Sequence, residues 1–271
     1  MKRKIAIIGK YSYIGSNLTN SLKKKKDLNV KSFSFEKFLK IKKLNNFDYI
    51  INTAINKKIT KQIYNAKNDI DLIISKKIYK LDIKQILLSS RKVYPEKFDI
   101  KENSIPKPQN LYARNKIKSE KKCLRLMKKK LLILRLSNLI GGKIRYNRKV
   151  TNNFYENFLY FSKKNFYVKY EDSCKDFLSM VQFIDIIYKL IQKEIIGTFN
   201  LSLGKKVYVS EIISWLDYYK GKKNIEILKN TKNQGFYLNN LKLLKKIKYK
   251  IHKKDLKNYC IKLSKKIFKK K

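Results

Sequence analysis

The sequence predicts an α/β protein: a doubly wound parallel sheet with a smaller C-terminal lobe. Three observations predict it. Short apolar runs alternate with helix-like stretches through about residue 140, the pattern of strands joined by crossover helices. The runs are continuous rather than alternating, as in strands buried on both faces. The first run leads directly into a glycine-bracketed turn, Gly9 to Gly15, that opens a helix.

The elements follow in order. Ile5-Ala6-Ile7-Ile8, closed by Gly9, reads as the first strand. Ile14 to about Lys25 reads as a helix, with Ile14, Leu18 and Leu22 four apart, and Val30 to Phe35 as a second strand. Asp48 to Ala54 is a third strand, and Ile86-Leu87-Leu88, running into Ser89-Ser90, a fourth. A lysine-rich helix from Tyr112 precedes the fifth, Leu131 to Leu134. Beyond Gly141-Gly142 the pattern loosens. Helices are expected over Phe154–Phe161, Phe183–Gln192 and Val209–Tyr219, a strand over Phe166–Tyr170, and a returning strand at Thr198–Leu201. From Lys254 the tail places Leu256, Cys260, Leu263 and Ile267 on one helical face, which reads as a packed terminal helix with a solvated basic side. A helix lying on a membrane surface is the competing reading. The expected division is 1–142 and 143–271, the second part being interleaved with the sheet of the first.

Composition narrows the function classes. With 43% hydrophobic residues in 271, the chain builds a core despite 32% charge, which excludes wholesale disorder. No run approaches the ~20 apolar residues of a membrane helix. The basic start, Met1 to Lys4, imitates a signal peptide, but its apolar stretch of Ile5 to Ile8 is shorter than the ~7–15 residues of a true one. Three scattered cysteines, Cys123, Cys174 and Cys260, fit free thiols in a reducing, cytoplasmic setting. The single histidine, His252, excludes multi-histidine metal sites, and no metal is expected.

The net charge of +47 predicts attraction to phosphates. Lysine, isoleucine, asparagine, tyrosine and phenylalanine are all abundant, which is what drift towards lysine in an AT-rich genome leaves at surface positions. A built nucleic-acid reader uses more arginine. Nucleic acid therefore stays open as a partner but ranks behind drift.

Gly9, Ser12 and Gly15 lie three apart between the first strand and the first helix, the setting in which helix N-terminal amides receive a dinucleotide's pyrophosphate. Ser12 occupies the middle glycine's place and could offer its hydroxyl to phosphate, while its Cβ crowds the closest approach. Tyr13 and Ile14 complete the turn, which implies a Rossmann-type sheet. Ser34 falls at the expected end of the second strand, where an acidic residue would hold an adenosine ribose. Serine leaves room for a 2′-phosphate, so the expected cofactor is either NAD or NADP.

Tyr112 and Lys116 stand four apart on one helix face. An ammonium beside a phenol stabilises the phenolate, fitting the tyrosine to exchange protons with a hydroxyl or carbonyl. With 19 tyrosines and 67 basic residues, about five such spacings arise by chance. Order is what raises this one: a strand ending in Ser90, then Val93-Tyr94, a loop with Pro106 and Pro108, then Tyr112. Ser90 would orient the same oxygen. The competing readings are a turn serine and a surface aromatic.

In this order the motifs resemble the extended short-chain dehydrogenases/reductases, the NAD(P)-dependent epimerase/dehydratase family acting on nucleotide sugars, from residue 4 to about 265. Asp48-Tyr-Ile-Ile-Asn-Thr-Ala54 resembles the strand lining the cofactor, with Thr53 and Ala54 at its end, and Asn68 matches the family's asparagine in the next helix. Ser90, Tyr112 and Lys116 match the catalytic serine, tyrosine and lysine, and Tyr112 and Lys116 also contact cofactor. Arg135-Leu-Ser-Asn138 and Asn152-Asn153-Phe154 resemble segments contacting the nucleotide, and Lys175-Asp176-Phe177 resembles Arg-Asp-Phe/Tyr, whose basic residue reaches the diphosphate. The resemblance implies Asn138, Asn153, Phe154 and Lys175 as substrate contacts in a substrate lobe, a nucleotide-diphosphate sugar as substrate, and a homodimer. Family 4,6-dehydratases carry Asp-Glu after the catalytic threonine. Arg91 and Lys92 stand here, so epimerisation or 4-keto-sugar reduction is expected instead. The alternative is a catalytically impaired NAD(P)-binding sensor or polyanion-binding protein on the same fold.

Overall fold

The computed structural model of the protein describes residues 2–143, 153–221, 224–229 and 235–269. The first half runs β1 (Arg3–Ile8), α1 (Tyr13–Leu22), β2 (Leu28–Phe33), α2 (Phe35–Leu39), β3 (Tyr49–Asn52), α3 (Lys57–Lys61), α4 (Ile70–Ile78), β4 (Lys84–Ser90), α5 (Leu111–Met127) and β5 (Leu131–Leu136). Then come β6 (Asn138–Ile140), α6 (Phe154–Lys164), β7 (Val168–Glu171), β8 (Cys174–Lys175), β9 (Phe177–Ser179), α7 (Met180–Gln192) and β10 (Gly197–Leu201). The chain closes with β11 (Val207–Tyr208), α8 (Val209–Leu216), β12 (Ile225–Leu228), α9 (Leu241–Ile247) and α10 (Lys253–Phe268).

Two compact units divide these elements. The first comprises Met1–Pro95, Glu102–Leu136 and Ile186–Asn200; the second comprises Glu96–Lys101, Ser137–Asp185 and Leu201–Lys271.

A six-stranded sheet organises the first unit, in the order β10-β5-β4-β3-β1-β2. Strands β1 to β5 pair in parallel, with Ile5 opposite Val30 on one side and Tyr49 on the other. Their central residues are apolar because both faces are covered: Ile5 to Ile8, Ile50, Ile51, Ile86 and Leu87 are fully buried. Ala6, Ile8, Ile50, Leu87 and Ile133 share one core cluster with Ile74 and Ile78 of α4 and Cys123 and Met127 of α5. The order of the sheet reverses at β1, whose neighbours are β2 and β3. In an open α/β sheet a ligand crevice forms outside the carboxyl ends of the strands at such a reversal.

Helix α2 falls in the helix-like stretch expected between the second and third strands, and spans only Phe35–Leu39 of it. Strand β2 ends at Phe33, and Ser34 begins the helix by accepting a hydrogen bond from Lys37 N on its side chain, while Phe38 is fully buried. One short capped turn anchored by one aromatic gives too little periodicity to fix its bounds. Helices α1 and α8 stop three residues short of their expected ends, at Leu22 and Leu216.

In the second unit, β6 pairs with β9 in parallel, β7 with β12, and β8 with β11 in antiparallel fashion. The tail is a packed helix: α10 lies against α8, with Leu256 and Cys260 fully buried. Ser264 is buried too and accepts from Tyr219 N at 2.9 Å, while Leu263 and Ile267 are half-buried. The tail lysines Lys254, Lys257, Lys262, Lys265 and Lys266 are exposed, while Lys253 at the first turn is half-buried. Among the described residues no helix is long and apolar enough to cross a membrane, and no group of three metal-ligating side chains gathers.

Candidate active site

The glycine turn sits at the reversal point of the sheet, between the ends of β1 and β3. Gly9 has φ of +100°, and a Cβ there would lie 2.6 Å from Thr53 Oγ1 and 2.7 Å from Ala54 N. A Cβ on Gly15 would lie 2.3 Å from Gly9 O and 2.4 Å from Thr53 Oγ1. Only glycine fits at either position, so the turn is packed down onto Thr53 and Ala54.

Ser12 is the N-cap of α1: its Oγ accepts from Gly15 N at 2.9 Å. It is also 2.9 Å from Thr53 Oγ1, which donates its single proton to Ile8 O at 2.6 Å. Thr53 must therefore accept from Ser12, and the Ser12 proton points into the turn rather than towards a phosphate. Of the four amides a helix start cannot satisfy internally, Gly15's is taken by Ser12, while Ile14 offers another at the second helical position. This glycine cradle opening a helix fits the pyrophosphate of a dinucleotide, on backbone amides rather than on the serine. Ser34 is engaged as the cap of α2, and Ala54 N donates to Asn52 Oδ1 at 2.9 Å.

Tyr112 and Lys116 lie in the first two turns of α5, whose start is fixed by Asn110 Oδ1 accepting from Ala113 N at 2.9 Å. Asn115 clamps the helix to the chain beside it, donating to Ile59 O at 2.9 Å and Gln62 O at 2.8 Å. Tyr112 is half-buried, whereas Lys116 is buried. Its Nζ donates to Asp71 Oδ2 at 2.9 Å and to Leu88 O at 3.0 Å. Burial pushes the Lys116 pKa down, but Asp71, together with Tyr112 and Asp69, outweighs it, so the ammonium titrates above its ordinary range. Asp71 also accepts from Asn52 Nδ2 at 2.7 Å, so β3, α4 and α5 meet at one carboxylate.

Ser90 ends β4 and accepts from Lys92 N at 3.2 Å, a bond that leaves its hydroxyl proton uncommitted. Its neighbour Ser89 donates to Glu120, which holds Arg135 through Nε and, at 2.7 Å, through Nη2. Arg135 donates in turn to Tyr94 OH at 2.6 Å, and Tyr94 to Asn200 Oδ1 at 3.1 Å. This buried network ties β4, α5, β5 and β10 together around the strand end that carries Ser90. Beyond Ser90, burial and the adjacent Arg91 lower the Lys92 pKa.

Sequence reasoning missed Asp71, Asn52 and Glu120. The signal for Asp71 was present: an acidic residue between Ile70 and Leu72 on a helix whose other buried positions are mostly apolar. A carboxylate there must be paired.

The remaining candidates belong to the second unit. Asn138, at the start of β6, donates from Nδ2 to Asp176 O at 3.0 Å. Asn153 is the N-cap of α6, accepting from Glu156 N at 3.1 Å, and Phe154 packs against Tyr170 and Phe177. Lys175 is half-buried on β8, and Asn152 lies outside the described residues. Asp176, between Lys175 and Phe177, is fully buried and accepts from the backbone of Leu203 (2.9 Å), Gly204 (3.2 Å) and Leu238 (3.0 Å). Burial raises its pKa to about 7 against the pull of those donors.

Comparison with known proteins agrees with this architecture. UDP-glucuronic acid 4-epimerase from Bacillus cereus, solved in complex with NAD, superposes with a TM-score of 0.77 at 18% identity, covering 98% of this chain and 100% of that one. dTDP-4-dehydrorhamnose reductase from Yersinia enterocolitica gives 0.73 at 19% identity, over 98% and 100% of the two chains. dTDP-glucose 4,6-dehydratase from Bacillus anthracis, in complex with NAD, gives 0.76 at 13%, over 97% of each. At these identities the likeness is one of fold. No curated protein matches the chain. The model of the NAD dependent epimerase/dehydratase family matches residues 5–202, and the chain belongs to that family.

Proposed function

We propose that this protein is an NAD(P)-dependent nucleotide-sugar epimerase or 4-keto-sugar reductase, with Tyr112 as its acid/base. The observation that carries the reading is the buried, doubly anchored ammonium of Lys116 one helical turn from Tyr112, in the same unit as a glycine cradle at the sheet's reversal point. A bound nicotinamide would supply the hydride acceptor or donor. The chain's own groups move the proton. Tyr112, as phenolate, accepts the proton of a sugar hydroxyl as hydride leaves the same carbon, and returns it when hydride comes back. In a reduction only the second half runs, and Tyr112 gives its proton to the carbonyl oxygen. Lys116 stabilises the phenolate, and Ser90 donates a hydrogen bond to the reacting oxygen.

Gly9, Gly15 and the Tyr13–Ile14 backbone would hold the pyrophosphate, with Thr53 and Ala54 lining the cofactor. Ser34 carries no charge to repel a 2′-phosphate, which keeps NADP beside NAD. Asn138, Asn153, Phe154 and Lys175 are proposed as contacts to the nucleotide diphosphate on their match to the family's motifs. Arg91 and Lys92 stand where a dehydratase needs two carboxylic acids, which favours epimerisation or reduction. The test is turnover of UDP- and dTDP-sugars by the wild type and by Tyr112→Phe. The variant should be slower by roughly 10²–10⁴-fold, as for other acid-base groups. Equal turnover contradicts the mechanism.

A further inference from the structure

The reading of Tyr112 and Lys116 as an acid/base pair leaves the buried charge that touches Lys116 without a role. Asp71 is 4% exposed, flanked by Ile70 and Leu72. Taking a carboxylate out of water costs several kcal/mol unless strong partners compensate. Both of its oxygens are occupied, Oδ1 by Asn52 Nδ2 at 2.7 Å and Oδ2 by Lys116 Nζ at 2.9 Å. An ammonium has three donors. Asp71 and Leu88 O take two of them, so one remains for the phenol or a ligand.

We propose that Asp71 is a positioning residue, which holds Lys116 in place and permanently charged so that Tyr112 ionises against a fixed cation. A lysine this buried, without a counter-ion, tends to shed its proton and become neutral. No neighbour can replace Asp71. The other carboxylate nearby, Asp69, already accepts from Leu72 N (3.2 Å), Ser119 Oγ (3.0 Å) and Tyr64 OH (2.7 Å). Burial and the charge of Asp71 also hold its pKa above the usual carboxylate range. Cys123 on α5 is kept a neutral thiol, its pKa pushed up to about 12 by burial first and Asp71 second. From β3 comes the neutral Asn52 and from β4 the Leu88 carbonyl. Without Asp71 the Lys116 amine discharges and the phenol loses its cation.

The experiment needs no cofactor or substrate. In protein carrying ¹³C-labelled tyrosine, the Tyr112 ring resonance is the one missing from Tyr112→Phe. Its titration is followed from about pH 7 to about pH 12 in wild type, Asp71→Asn and Lys116→Met. In Asp71→Asn the midpoint should rise by about one unit or more, as when an opposite charge beside a titrating group is lost. Lys116→Met should show the same rise. An unchanged or lowered midpoint in Asp71→Asn overturns the proposal, since a merely structural aspartate would depress the melting temperature and leave the phenol alone. Should Asp71→Asn lose the native circular dichroism, Asp71→Ser, which keeps an acceptor and admits a water, carries the same expectation. The proposal rests on the acid/base reading, but the two fail separately. A protein that binds neither NADH nor NADPH loses that reading, while the midpoint still reports on Asp71.

Discussion

Lys116 Nζ and Asp71 Oδ2 lie 2.9 Å apart with side chains only 8% and 5% exposed, a pair less solvated than the buried Arg135–Glu120 pair beside it. Removing either partner strands a charge in a low-dielectric interior. Asp71→Ala and Lys116→Met should each lose about 3–5 kcal/mol in urea unfolding. The double variant Asp71→Leu/Lys116→Met should recover most of that loss. A double variant no better than the sum of the singles would mean that packing, not charge, sets the penalty.

Ser12 departs from the family's glycine, and the structure shows what the departure does. Its hydroxyl is committed to Gly15 N and Thr53, and its Cβ stands in the turn. Ser12→Gly should tighten NADH binding several-fold. Stability should fall by only a few tenths of a kcal/mol, as for other serine-to-glycine caps. Weaker binding in this variant would show that the serine contacts the cofactor after all.

In the second unit, Asp176 has a pKa raised to about 7 in the folded state, mainly by burial. A carboxyl raised above its unfolded value binds more protons folded than unfolded between about pH 4 and 7, so its contribution to stability falls as pH rises through that window. The stability margin of wild type over Asp176→Asn should therefore shrink from pH 4 to pH 8 in urea titrations. A margin that widens would place the folded pKa below the usual value instead, with the three backbone donors dominating.

The outward side of α5 carries Arg114, Lys118, Lys121, Lys122 and Arg125, all exposed. A two-fold contact brings like faces together. The homodimer that the family resemblance implies, if built on this helix, should dissociate at low ionic strength. It should strengthen between about 20 mM and about 500 mM salt as the Debye length shrinks. Sedimentation at the two salt levels reads this directly, and a dimer insensitive to salt would place the interface on another face.

Much of this was legible in the sequence, for identifiable reasons. Strands β1 to β5 announce themselves because burial on both faces leaves no polar interruption, as at Ile5 to Ile8 and Leu131 to Leu134. The cradle is legible because Gly9 and Gly15 sit where a Cβ would strike Thr53, so the glycines are demanded locally. Tyr112 and Lys116 are legible as a spacing, yet what anchors Lys116 is not. Asp71 meets it across 45 residues of chain through packing of α4 on α5, which no local pattern records. Ser12 and Ser34 stand out by position along the chain, whereas each also serves as a helix cap. A cap is a short-range hydrogen bond that looks in sequence like any other turn serine.

The most direct test of the account is titration of the protein with NADH and with NADPH at physiological salt, following nicotinamide fluorescence, beside Gly15→Ala. The account predicts saturable binding of at least one cofactor by wild type. It also predicts loss in the variant, whose added methyl would lie 2.3 Å from Gly9 O. Folded wild type that binds neither cofactor would contradict it.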